Sequence, residues 1–371
     1  MDVEICIIGA GVIGLAIARK LSESHKNVFI LEKNNKFGQE TSSRNSEVIH
    51  SGIYYTPGSL KAKLCVEGND LLYEYAAKKS IPFLKCGKLI VSTDEKENKQ
   101  LLNLLENGKS NGLSGIELIE AAGVHKLEPN ICALQALHLP QTGIIDSHLL
   151  MQHLLGDAIL NGCEISYLSN VIGIKKIHNG YLISIEDEKG QFYSFTSSTI
   201  INCAGLESYN ISKLAGLDDP SYQLSYCKGE YFRVRPPKNK MLSRLIYPLP
   251  PQGHEGLGVH ATLELDGGLK LGPNAIYLDQ NVYDYSVEAR NNQAFYNSAK
   301  KYLPFLELED LSPEMAGIRP KLQAKGEATK DFVIKNEYEK GFLNFINLIG
   351  IESPGLTASM AIAKYTESII L

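Results

Sequence analysis

Apolar and polar positions along the chain follow two different periods, and the switches between them mark out elements. Residues 3–8 form an apolar, β-branched run that predicts a buried strand. Gly9-Ala10-Gly11-Val12-Ile13-Gly14 follows, then a helix over 15–21 with small residues on one side. A second strand over 27–31 stops at Glu32, completing one crossover unit of about thirty residues. Helical spacing returns over 60–79, where Pro82 ends it, and again over 95–110 and 147–161. A strand is predicted at 88–92. Residues 164–167, 171–177 and 181–185 also read as strands, the last two bracketing the turn His178-Asn179-Gly180. The apolar strand 195–202 runs into Cys203-Ala204-Gly205.

Between residues 222 and 277 the texture changes. Alternation at 230–234, 257–262 and 268–272, with prolines between, predicts antiparallel sheet rather than crossover units. Residues 287–303 read as helical, and the chain closes with a strand at 342–348, a glycine-rich turn and a helix over 356–370. The fold class predicted is α/β with an α+β second domain. A Rossmann-like dinucleotide-binding domain, discontinuous over 1–80, 142–218 and 315–371, is interrupted by an antiparallel-sheet substrate domain over 81–141 and 219–314.

Composition narrows this picture only a little. With 44% hydrophobic and 21% charged residues, 371 residues suffice for a large core and two domains. A net charge of -5 argues against a dedicated nucleic-acid binder. The seven cysteines form no CxxC pair and no zinc-site spacing, so no metal is expected, and free, mostly buried thiols in a reducing compartment are. Asp2 and Glu4 stand where a signal peptide would be basic, and no stretch reaches the ~20 apolar residues of a membrane span. A soluble, cytoplasmic protein is expected, with room for peripheral contact at the inner membrane.

Gly9, Gly11 and Gly14 carry the first chemistry. Between a strand and a helix, the first glycine permits the tight turn and the second lets backbone approach a pyrophosphate. The third allows close helix–strand packing, and the helix N-terminus offers free N–H groups to phosphate. Glu32 is placed to accept from a ribose, which disfavours a 2′-phosphate and hence NADP. Three later features favour FAD over NAD. The hydroxyl-rich run Thr41-Ser42-Ser43-Arg44-Asn45-Ser46 can clamp a pyrophosphate and ribityl chain. Ala204 and Gly205 end an apolar strand in small residues, where backbone can come close to an adenosine diphosphate. The turn at 350–357, with Gly350, Gly355, Leu356 and Thr357, opens a helix whose positive end would stabilise a reduced, anionic flavin by roughly 0.3–1 kcal/mol. Lys33 and Val171 join these as cofactor-binding candidates.

The run SSRNSEVIHSGIYY at 42–55 resembles the L-2-hydroxyglutarate dehydrogenase/oxidase family, within the D-amino-acid-oxidase-like flavoproteins. Segments 57–68, 142–146, 228–232, 246–250, 257–261, 272–275 and 317–319 continue the resemblance over most of the chain. Departures are Glu47, where a small residue is expected, Pro320-Lys321 after the GIR motif, and the terminal run 351–359. The resemblance implies FAD, an antiparallel substrate domain, and oxidation of L-2-hydroxyglutarate to 2-oxoglutarate with a quinone-linked chain or oxygen as acceptor.

Such a reaction needs held carboxylates and a base for the hydroxyl proton as hydride leaves. Arg319 is the candidate for carboxylate recognition, because guanidinium offers a bidentate fork and its position resembles the superfamily's carboxylate-binding arginine. His50 and His260 are the candidate bases. Tyr54 and Tyr55 could hydrogen-bond a carboxylate, and Lys228 could add positive charge for a second one. An amine or amino-acid oxidase acting on a glycine- or sarcosine-like substrate is the nearest alternative. A flavin-binding protein without catalysis is another, and a nicotinamide-dependent dehydrogenase a third, though it would leave the 41–55 run without a role.

Overall fold

In a computed structural model, which describes residues 1–249, 258–279 and 283–371, two large sheets organise the chain. The first has a parallel centre ordered Glu164–Ser166, Val28–Leu31, Val3–Ile8, Phe192–Asn202 and Phe345–Ile349. Its apolar strands are buried because helices Val12–Leu21, Leu60–Lys79, Ser147–Leu160 and Gly355–Ser368 pack into the same core. Phe192–Asn202 is long enough to serve twice. Its first half closes an antiparallel meander with Asn170–Ile177 and Gly180–Glu186, and its second half joins the parallel centre.

The second sheet is mainly antiparallel and built on Ser225–Val234, which pairs with Leu269–Gly272, Ile276–Tyr277 and, over its whole length, Leu311–Lys321. Lys88–Ser92 lies beside Leu245–Pro248 in parallel and beside Gln135–Leu139 in antiparallel pairing. The two sheets meet where Arg44 passes under Gly317: a side chain on Gly317 would strike the Arg44 carbonyl.

Three expectations need correction. Residues 315–321 belong to the second sheet, not to the dinucleotide-type domain, since Leu311–Lys321 runs against Ser225–Val234. Pro313, Gly317 and Pro320 interrupt its pattern in the sequence; its proline nitrogens are tolerated because, among the described residues, it pairs along one edge. The helix expected over 287–303 is confined to Asn292–Ala299. Buried Glu230 accepts from the Glu288 N–H at 3.0 Å and the Asn291 amide at 2.6 Å, and the intervening residues wind as a 3₁₀ turn. The last strand starts at Phe345 rather than 342, because Asn344 adopts φ 57° and its N–H bonds to the Asn336 side chain. Leu257, at the start of the expected 257–262 strand, lies outside the described residues; the strand is described as His260–Leu263.

Glu47, out of place against the family pattern, has a structural use. Its carboxylate accepts from the Ser147 N–H at 2.9 Å and the Ser147 hydroxyl at 2.7 Å, adding negative charge at the N-terminus of Ser147–Leu160. Glu47→Ala is expected to lower stability by about 1–2 kcal/mol, the usual worth of a helix cap. Denaturant midpoints of the two proteins would measure it, and an unchanged midpoint would refute this role.

Candidate active site

One cavity of about 1190 Å³ runs from the first sheet's strand ends to the second sheet. That exceeds the ~300–1,000 Å³ that houses a drug-sized ligand, so it has room for a long cofactor with a small molecule beside it.

At its first end, the glycine loop is shaped by contact with its neighbours. Gly9 has φ 104°, and a Cβ there would lie 2.5 Å from the Cys203 carbonyl oxygen. A Cβ on Gly14 would be driven into the Gly9 carbonyl, so that glycine sits behind the loop and packs the helix onto it. Gly11 faces the cavity, and the neighbouring Val12 N–H donates to the Ser42 hydroxyl at 3.0 Å. Glu32, only 7% exposed, accepts from the N–H groups of Ala10 at 2.8 Å and Asn34 at 2.9 Å. Each of its oxygens keeps a lone pair for a ligand hydroxyl. Lys33, Val171, Ala204 and Gly205 line the same end.

The middle is walled by the 41–45 run. Thr41 donates to the Ile318 carbonyl at 2.9 Å, and Asn45 bridges back to the Ser42 carbonyl at 2.8 Å. Arg44 lies 4.1 Å from the centre of the Tyr285 ring, and its Nε is buried without a hydrogen-bond partner among the described residues. Ser43 turns away from the cavity lining and bonds to the Glu40 carbonyl at 3.3 Å. Opposite, helix Gly355–Ser368 begins with Gly355 and Leu356 on the lining, and no side chain among the described residues caps it. Thr357 and Gly350 stand outside the lining. The Thr357 hydroxyl accepts from the His50 N–H at 3.0 Å and so ties the His50 segment to this helix.

At the far end the structure gathers His50, Tyr54, Tyr55, His260 and Arg319 around one space. Arg319 pairs in register with Cys227, and its Nη2 donates to the Asn274 carbonyl at 2.8 Å. Its Nε reaches the Cys227 carbonyl at 3.4 Å, while Nη1 makes no hydrogen bond among the described residues. A donor edge therefore remains for a ligand. The His260 ring stacks on Tyr247 with centroids 3.5 Å apart. His50 Nε2 lies 3.3 Å from the Ser353 hydroxyl. Burial, and then the charge of Lys88, hold the His50 imidazole down to about 3, so it is neutral at physiological pH. The Tyr54 hydroxyl is buried with no hydrogen-bond partner among the described residues, and Tyr55 touches Ser353 at 3.4 Å.

Lys228 does not join them. Side chains alternate along Ser225–Val234, and Gly229 and Tyr231 face the cavity while Lys228 faces the other way. There its ammonium bonds to Asp284 at 2.7 Å and approaches Glu230 at 3.7 Å. Residues that the sequence did not mark as site candidates take up part of the lining. Glu352, 7% exposed, pairs with Lys61 at 3.2 Å and Lys321 at 3.0 Å. Burial acts against its charge, but Lys61, Lys321 and Arg319 outweigh that and hold the carboxyl below its ordinary value. Tyr231, Tyr247 and Asn274 also line this end.

Comparison with known proteins gives the family. Residues 4–369 match the family model described as FAD dependent oxidoreductase. A mitochondrial L-2-hydroxyglutarate dehydrogenase of Arabidopsis thaliana is 38% identical, covering 98% of this chain and 82% of its own. The human protein of the same name is 32% identical over 97% of this chain and 87% of its own. The FAD-bound L-alpha-glycerophosphate oxidase of Mycoplasma pneumoniae superposes with a TM-score of 0.88 at 30% identity, covering 99% and 94% of the two chains.

Proposed function

The chain belongs to the FAD-dependent oxidoreductases, and on that premise we propose how its residues oxidise L-2-hydroxyglutarate to 2-oxoglutarate. FAD fits the residues present. The side-chain-free approach at Gly9 and Gly11, the buried and unpartnered Arg44 Nε, and the uncapped start of Gly355–Ser368 all suit a long anionic ligand. Bound FAD supplies the acceptor for the hydride that leaves the substrate α-carbon.

The protein's own part is to hold the acid and take a proton. The free edge of Arg319 holds the α-carboxylate, and the Tyr55 hydroxyl adds a donor beside it. The hydroxyl proton goes to His260. His50 is too weak a base to keep a proton, and instead orients the hydroxyl by donating its ring N–H to the hydroxyl oxygen. One observation carries this reading: the glycine loop and the cluster of Arg319, His50 and His260 open into a single cavity. The second substrate is an electron acceptor, which we place as a quinone-linked chain or oxygen. No helix among the described residues is long and apolar enough to cross a membrane, so a quinone would be met at the membrane surface.

The test is anaerobic titration of the yellow holoenzyme. L-2-Hydroxyglutarate is expected to bleach the flavin band, whereas its D-isomer and sarcosine leave it. Bleaching by sarcosine or glycine alone would move the protein to the amine oxidases. A His260→Gln variant should bind substrate and bleach at least about 10²-fold more slowly, the usual worth of a positioned general base. An unchanged rate would return that role to His50.

A further inference from the structure

Lys88 opens the strand Lys88–Ser92, whose five side chains are all buried, and is itself 1% exposed. A buried ammonium ordinarily has a carboxylate beside it. Among the described residues the Lys88 ammonium has neither a salt bridge nor a hydrogen bond, and its ring contacts stand in their place. It sits instead against two aromatic rings, 5.0 Å from the centre of Tyr54 and 4.6 Å from that of Tyr247. The other titratable groups that feel it are His50 and Cys65. Both rings line the cavity: Tyr247 carries His260 stacked upon it, and Tyr54 ends in a buried hydroxyl with no hydrogen-bond partner among the described residues.

We propose that Lys88 is a positioning residue that acts through Tyr54 to make the substrate end selective for a second carboxylate. This rests on the reading of the site as one for a dicarboxylic 2-hydroxy acid. A cation against a phenol ring draws electron density from it, so the hydroxyl becomes a stronger donor. Tyr54 thereby offers an anion a charge-assisted bond with no cation exposed in the cavity. In the low-dielectric wall the charge of Lys88 reaches the anion with little screening by salt. The arrangement replaces the role expected of Lys228, which the fold directs elsewhere.

Burial pushes the Lys88 ammonium down to about 7, so it shares its proton with solvent near neutrality. An anion on Tyr54 favours the charged form and raises that value. Affinity for the dianion is therefore full below pH 7 and falls as pH rises above it, until the raised value is passed.

The test compares glutarate, a dianion, with valerate, which lacks the second carboxylate, binding to oxidised holoenzyme and read by perturbation of the flavin spectrum. Lys88→Met is expected to weaken glutarate at least tenfold and valerate less than threefold, and Lys88→Arg to keep glutarate within about threefold of wild type. Equal weakening of both acids, or an arginine variant as poor as the methionine one, would overturn the proposal, because a purely structural lysine loses both ligands together. Should Lys88→Met fail to retain FAD, Tyr54→Phe decides the matter. It leaves both rings around Lys88, and glutarate binding as tight as in wild type would sink the idea, whereas selective loss of glutarate supports it. Failure of the dicarboxylate reading looks different: wild-type holoenzyme would not be bleached by L-2-hydroxyglutarate at all.

Discussion

Arg319→Ala is expected to lower kcat/KM for L-2-hydroxyglutarate by roughly 10²-fold or more with FAD content unchanged. The guanidinium is already fixed before substrate arrives, by the Asn274 carbonyl at 2.8 Å and the Cys227 carbonyl at 3.4 Å, and by a strand register that sets Arg319 opposite Cys227. Gly229 keeps the space beside it open, since a Cβ there would come within 3.3 Å of Nη2. A carboxylate meeting the free edge thus forms its bonds without first ordering a long side chain. Removing one partner of such a desolvated pair costs about 2–5 kcal/mol, much of it from leaving the other charge unpaired. Arg319→Lys is expected to recover only part of the loss, because an ammonium has no planar fork. Steady-state kinetics beside the ratio of flavin to protein absorbance check both points. A parallel fall in FAD content and activity would assign Arg319 to the cofactor or the fold instead.

Residues 60–79, 88–92 and 95–110 have the same bounds in sequence and structure, for a local reason. Each is long enough to show its period and ends on its own signal. Ser59 accepts from the Ala62 N–H, and Asp94 with Glu97 completes a capping box. The glycine loop is legible because strand, turn and helix adjoin in sequence. What escaped depends on pairing at a distance. Leu311–Lys321 shows no clear period, interrupted as it is by prolines, and its extent as a strand is set by the edge that Ser225–Val234 offers. The face on which Lys228 emerges follows from that same pairing, and no one-dimensional pattern reveals it. Lys88 left a signal that passed unread: a lysine at the head of the apolar run KLIVS has few structural reasons to be there.

Gly14→Ala and Gly11→Ala should fail in opposite ways although they lie in one motif. At Gly14 the added methyl would run into the Gly9 carbonyl oxygen and stand 3.4 Å from the Cys203 side chain. Neither neighbour can yield cheaply, since the Gly9 N–H is bound to the Leu31 carbonyl at 2.8 Å and the Cys203 N–H to the Ile8 carbonyl at 2.9 Å. Relief means lifting helix Val12–Leu21, with Leu15, Ala16, Ile17 and Ala18 wholly or almost wholly buried, off the sheet. Overpacking typically costs about 1–3 kcal/mol and should reach the top of that range here, lowering Tm by about 3–4 °C even without FAD. At Gly11 the methyl meets only the Ser42 hydroxyl, at 2.9 Å, and a serine side chain can turn away. The apoprotein should then melt within about 1 °C of wild type, as neutral surface changes do, while FAD binding weakens because the methyl occupies the floor over which a pyrophosphate must pass. Thermal unfolding of the apoproteins, set against FAD titrations of each, separates the two effects. A Gly11→Ala apoprotein as unstable as Gly14→Ala would mean that the whole loop is scaffold, and that the phosphate-binding role given to its second glycine is wrong.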